Sequence, residues 1–115
     1  MSTTITSHVL NGVDGTHAGG VPVALVHVST GNRIAETKTD DGGRLVIQLA
    51  DAEIDRAADY QLEFDTRAYW KSRNAEDAAI IDTIILRFFM GEASAQHHMP
   101  VIISPNTYTT WKSGE

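Results

Sequence analysis

The chain has 115 residues and a formal net charge of −6, with 9 Lys and Arg against 15 Asp and Glu. That length reads as a single domain over residues 1–115, with one core that can bury about two-thirds of the unfolded surface. The acidic balance argues against a nucleic-acid binder, which needs clustered Lys and Arg to neutralise phosphates, and the absence of Cys excludes disulfide staples, thiol chemistry and Cys-based zinc sites.

The first ten residues carry neither a basic nor an apolar run, so no secretory signal is read there. No apolar run approaches the length of a membrane span. A soluble, cytoplasmic protein is expected. Residues 5–10 predict a short strand holding His8, and residues 11–20, dense in Gly, Asp and Asn, predict a loop. Residues 21–28 alternate, with Val21, Val23, Leu25 and His27 on one face and Pro22, Ala24, Val26 and Val28 on the other. Both faces are largely apolar. A turn over 29–32 and a polar return strand over 33–39 complete a hairpin. Asp40-Asp41-Gly42-Gly43 reads as a second hairpin turn, and Arg44 opens a strand over 45–49.

Residues 50–58 are expected to form the one short helix. Asp51 is its N-cap, the acids of its first turn favour the helix dipole, and the charge run from Asp51 to Asp59 is its solvated face. Residues 60–66 alternate as a strand, with Tyr60, Leu62 and Phe64 inward, and residues 68–70 extend it. Residues 71–77 read as a polar loop. Residues 82–90 form the most apolar strand, with Ile84, Leu86, Phe88 and Met90 opposite Thr83, Ile85, Arg87 and Phe89. A turn over 91–95 leads to a strand over 98–104 with Pro100 near its start, and a last strand covers 108–112. About eight short strands and one helix predict an all-β sandwich. The strands at 21–28, 82–90 and 101–103 are apolar on both faces. A lone sandwich needs only one apolar face per strand, so a homo-oligomer is expected.

Among five histidines, no pair has a helical metal spacing. His97 and His98, as strand neighbours, point to opposite faces and cannot enter one site together. His27 reads as a satisfied interior or interface residue and His17 as solvent-exposed. No Ser elbow, phosphate cradle or catalytic carboxylate pair is visible.

The tail, QHHMPVIISPNTYTTWKSGE, stays apolar and aromatic where a terminus is usually frayed and polar. With His98, Pro100, Ser104, Pro105, Tyr108 and Thr110 in register, it resembles the C-terminal signature of the transthyretin-like family, in its 5-hydroxyisourate hydrolase branch. The opening Ser7-His8-Val9-Leu10, the segment TDDGGRL over 39–45 and EFDTRAYW over 63–70 are similar to that family too. The resemblance implies a transthyretin-like β-sandwich of two four-stranded sheets, assembled as a homotetramer that is a dimer of dimers. It implies a small-molecule substrate, an activated cyclic amide of an oxidised purine, with no metal, no cofactor and no membrane or nucleic-acid partner. The family's catalytic set falls on His8, Arg44 and His98, gathered in clefts where dimers meet. A histidine suits the removal of a proton from water, and either His98 or His8 could serve. Arg44 would offer a fork of donors to the developing negative charge.

The resemblance places substrate-binding residues at Tyr108, Thr110, Trp111, Lys112 and Ser113. Here the tail departs from the family, with Trp111, Lys112, Ser113 and Gly114 where the family has Tyr-Arg-Gly-Ser. Lys112 keeps the charge but loses the planar fork. Gln96 replaces the first histidine of a His-x-His pair. A shifted substrate, such as a methylated hydroxyisourate or another cyclic ureide packed against Trp111, is one consequence. A non-catalytic binding protein is another.

Overall fold

A computed structural model describes residues 2–75, 79–91 and 96–113. Its strands are β1 (Ser2–Asn11), β2 (Pro22–His27), β3 (Arg33–Lys38), β4 (Arg44–Ala50), β5 (Asp59–Asp65), β6 (Thr83–Phe89), β7 (Gln96–His98), β8 (Val101–Ser104) and β9 (Thr107–Thr110). They form two sheets. One runs β4-β1-β8-β9, with β7 also paired to β1, and the other runs β3-β2-β5-β6. Because β7 and β8 lie one after the other along the same side of β1, the first sheet counts five strands where four were expected. The expected all-β sandwich of two sheets is what the chain adopts.

Alternation sets the core. On β1, Thr3, Ile5, Ser7, Val9 and Asn11 are buried, while Thr4, Thr6, His8 and Leu10 are partly exposed on the other face. On β4, Leu45, Ile47 and Leu49 turn inward, and they meet Leu25, Leu62, Phe64 and Val101 from the other strands. Each such aliphatic or aromatic side chain contributes about 1.5–3 kcal/mol by leaving water. The polar groups carried inward are bonded. The Ser7 hydroxyl donates to the Met99 carbonyl at 2.7 Å, and the Thr39 hydroxyl donates to the Ala18 carbonyl at 2.7 Å. Both faces of β2 are buried, as its composition suggested.

The helix lies elsewhere than expected. Over 50–58 there is one 3-10 turn, Asp51–Glu53, after which Ile54 is extended. The acids that looked like a helix start instead bond nearby backbone N–H groups: Glu53 accepts from Ala50 and Asp55 from Ala57. These local bonds compete with helix, and Ile54 alone of the segment is buried. The charge run therefore lies on two tight turns, with Asp51 paired to Arg56 at 2.8 Å. The helix α1 is Thr66–Ser72, where residues 68–70 were expected to extend a strand. The Asp65 carboxylate caps it by accepting from Ala68 N–H at 3.0 Å. Thr66, Tyr69 and Trp70, at helical spacing, supply its buried side.

Two connections also differ. Residues 39–43 join β3 to β4, which belong to different sheets, so this turn crosses the sandwich and is no hairpin. The strand expected over 98–104 is broken into β7 and β8 at Met99 and Pro100, where proline offers no N–H to the ladder. The expected loop over 71–77 and turn over 91–95 lie partly outside the described residues, as do Gly114 and Glu115 of the tail.

Candidate functional site

The site is built on the outward face of β1. His8 stands directly opposite Arg44 in the antiparallel β1–β4 ladder, and Thr6 stands opposite His98 in the parallel β1–β7 ladder. Residues two apart on a strand share a face, and paired residues on adjacent strands share it too. The N-terminal imidazole, the guanidinium and the C-terminal imidazole therefore all rise from one surface. Opposed Cα atoms are about 5 Å apart, and residues two apart on a strand about 7 Å. His98 is fixed by a 2.7 Å contact between its Nδ1 and the Thr6 hydroxyl.

His97 points the other way. It is opposite buried Ile5 and lines a groove of about 600 Å³ with Phe88, Met90, Met99, Thr110 and Lys112. Burial, then the Lys112 and Arg56 charges, holds its pKa below the usual imidazole value, and a backbone hydrogen bond at Met90 opposes them in part. The two adjacent histidines thus serve different surfaces, as strand alternation requires.

The tail is divided in the same way. Ser113 N–H donates to the His98 carbonyl at 2.8 Å, forming an antiparallel bridge that brings Ser113 beside His98. Alternation places Trp111, 46% exposed, on that same face. Tyr108 and Thr110 pair with Ile103 and Val101, whose side chains are in the core, so they lie on the opposite side. The Thr110 hydroxyl donates to the Pro100 carbonyl at 2.9 Å. With Lys112 in the groove beside His97, Trp111 and Ser113 are the expected substrate-binding positions that share a face with His98 in one chain.

His17 was expected to be merely exposed. It is exposed, yet its Nδ1 lies 3.0 Å from Nε2 of His8. The loop that carries it is folded back on β1. Asn11 N–H donates to the Thr16 carbonyl and Ala18 N–H to the Val9 carbonyl, and the Asn11 side chain accepts from Val13 and Asp14. Those Asn and Asp residues, each able to bond backbone two residues on, were the signal that the loop has one shape. His8 is held below the usual imidazole pKa, first by burial and then by the charges of Arg44, His17 and His98. A backbone hydrogen bond at Gly42 opposes them in part. His27 is satisfied as expected, with its Nδ1 near the Ser29 and Thr30 hydroxyls.

Such a surface combines imidazoles, which can accept or donate a proton, with a guanidinium, the set needed to activate water and to stabilise an oxyanion. Among the described residues, no group of three or more His, Asp or Glu is arranged to hold a metal ion.

A sequence profile of the HIUase/Transthyretin family matches residues 5–113. A 5-hydroxyisourate hydrolase of Pseudomonas aeruginosa is 31% identical, over 94% of this chain and 89% of the relative. One from Deinococcus radiodurans is 32% identical, over 94% and 93%. Among solved structures, the 5-hydroxyisourate hydrolase of Klebsiella pneumoniae superposes with a TM-score of 0.81 at 27% identity, covering 97% of this chain and 99% of that one. Sea bream transthyretin in complex with thyroxine gives 0.83 at 25% identity, covering 96% and 95%.

Proposed function

The chain belongs to the HIUase/Transthyretin family, and from that premise we propose that it is a hydrolase that opens the cyclic amide ring of 5-hydroxyisourate, or of a close analogue, in purine catabolism. The observation that carries this reading is the single face shared by His8, Arg44 and His98. One imidazole takes a proton from water as the water oxygen attacks the ring carbonyl carbon. The guanidinium of Arg44 faces the oxyanion that forms, with donors in a planar fork. The C–N bond then breaks, the imidazolium returns its proton to the departing ring nitrogen, the acid formed loses its proton to solvent, and the products are a carboxylate and an opened ureide. The reaction so written uses no metal and no cofactor, and activity is expected to survive a chelator.

In one chain this face is open. Two cavities lie elsewhere, one in the groove beside His97 and one along β2 and β3. Val46, 63% exposed, stands two residues from Arg44 on the same face, and Ile85 and Phe89 are exposed at 46% and 67% on β6. Exposed apolar side chains in such positions call for cover. We take the cover to be further copies of this chain, in a homotetramer whose clefts complete the site, working in the cytoplasm. Trp111 on the same face as His98 favours an analogue with apolar substituents, such as a methylated hydroxyisourate, as a second reading.

The test is to generate 5-hydroxyisourate in place from urate with urate oxidase and to follow its ultraviolet decay. The chain should accelerate the decay, and His98→Ala should slow that acceleration by about 10²-fold or more. Decay at the spontaneous rate, with methylated substrates also untouched, would overturn the hydrolase and leave a binding protein.

A further inference from the structure

The unassigned group nearest the proposed site is His17. Its Nδ1 and the Nε2 of His8 are 3.0 Å apart. The ring centroids are 5.1 Å apart with 29° between the planes, close to the greatest separation that this contact and the two ring radii allow. The rings therefore meet edge to edge through these nitrogens and do not stack face on face. A neutral imidazole has one N–H and one bare nitrogen. Two bare nitrogens at this distance repel, and two N–H groups collide. One proton must lie between the rings, so the tautomer of each dictates the tautomer of the other.

We infer that His17 is a positioning residue for His8, the one proton shared between Nδ1 of His17 and Nε2 of His8 fixing the tautomer and orientation of the His8 ring and so leaving His98 to act as the base. This rests on the hydrolase reading for its catalytic part and on the geometry alone for the pairing. His17 is placed to do this by backbone. It forms an isolated bridge with Leu10, and the loop before it is tied by Asp14, which accepts from both the N–H and the hydroxyl of Thr16. His98 differs in its partner. Its Nδ1 meets a hydroxyl, the Thr6 Oγ1, which can donate or accept as needed. His98 can therefore take up a proton without opposing a second ring. For His8 a second proton between the two facing nitrogens sets N–H against N–H, and the other charges facing His8, those of Arg44 and His98, act in the same direction.

The experiment is histidine NMR on the uniformly 15N-labelled protein, with kinetics on the same samples. In the native protein the His8 ring nitrogens should show one fixed tautomer, with Nε2 hydrogen-bonded. His17→Ala should change the His8 15N pattern and move the His8 titration to higher pH. It should also lower kcat by roughly tenfold, the scale of one hydrogen bond to a charged group, with KM little changed and the pH–rate profile displaced. His17→Gln, whose amide can both donate and accept, should recover most of the rate. An unchanged His8 spectrum and titration in His17→Ala would overturn the inference, as would a Gln variant no better than Ala. If His17→Ala changes the His8 spectrum but the native chain hydrolyses nothing, the pairing stands and the hydrolase reading falls.

Discussion

Gly43 offers a sharp test of how the site is assembled. It has φ +76 and sits at the end of the crossing turn, one residue before Arg44. Its carbonyl accepts from Val9 N–H at 2.7 Å, and the Val9 carbonyl in turn accepts from Ala18 N–H. A Cβ at position 43 would lie 2.3 Å from that Val9 oxygen, 3.2 Å from Ala18 N and 3.4 Å from Cδ2 of His8. Gly43→Ala therefore carries two costs. The left-handed backbone costs about 1 kcal/mol or more for a residue with a Cβ. Forcing Val9 O aside strips a buried backbone bond, about 1–3 kcal/mol more. A loss of about 3 kcal/mol should lower Tm by roughly 12 °C, at about 4 °C per kcal/mol for a chain of this size. Gly15→Ala is the control. Its φ is +77 but nothing lies within 4 Å of an added Cβ, so only the backbone cost of about 1 kcal/mol applies. Thermal and urea unfolding of the two variants decide the matter. Equal losses at both positions would refute the close approach of the turn to β1.

Four further outcomes are expected. Arg44→Lys keeps the charge but loses the planar fork, and should reduce kcat/KM by about 10²-fold in the ultraviolet decay assay. Tyr69→Phe deprives the buried Asn11 amide and the Arg73 guanidinium of a shared acceptor, and should cost about 1–3 kcal/mol by urea denaturation. Val46→Asp should shift the sedimentation coefficient toward smaller species and lower activity with it, because the face beside Arg44 would resist cover. Acidification should destabilise the fold. His8 and His97 both have folded-state pKa values below the ordinary 6.5, so the unfolded chain binds protons that the folded chain refuses. Stability then falls as pH drops from about 6.5. His97→Gln should flatten the dependence of the urea midpoint on pH, and a midpoint independent of pH between 7.5 and 5 would contradict it.

The strands were legible because alternation is a strong signal where one face is buried. Residues 60–66 announced Tyr60, Leu62 and Phe64 as inward, and all three are buried. The opposed directions of His97 and His98 followed from the same rule. The helix was not legible, because its rival looked better by composition. Asp51, Glu53 and Asp55 resemble a helix start, but the same carboxylates satisfy single N–H groups in turns. Asp65 is a true cap hidden at the end of an obvious strand, and Thr66, Tyr69 and Trp70 gave the helical spacing that could have revealed it. The crossing turn was misread because Asp-Gly chemistry defines a bend without saying which sheet the chain enters next. The His8–His17 contact was beyond pattern reading. It depends on a loop shape set by Asn11, whose amide is anchored on Tyr69 58 residues away.

The position of β1 has a consequence for how the molecule comes into being. On one side it is held by β4, but on the other its neighbours are β7 and β8, and Thr6 meets His98 across 92 residues. Until those late segments have been synthesised, the first strand has an open hydrogen-bonding rim, the kind of template that recruits other chains. Pairings so distant also close slowly. Birth of this protein is thus a race between capture of its own late segments and capture by a stranger. The residues that finish the proposed site are also the ones that end that exposure.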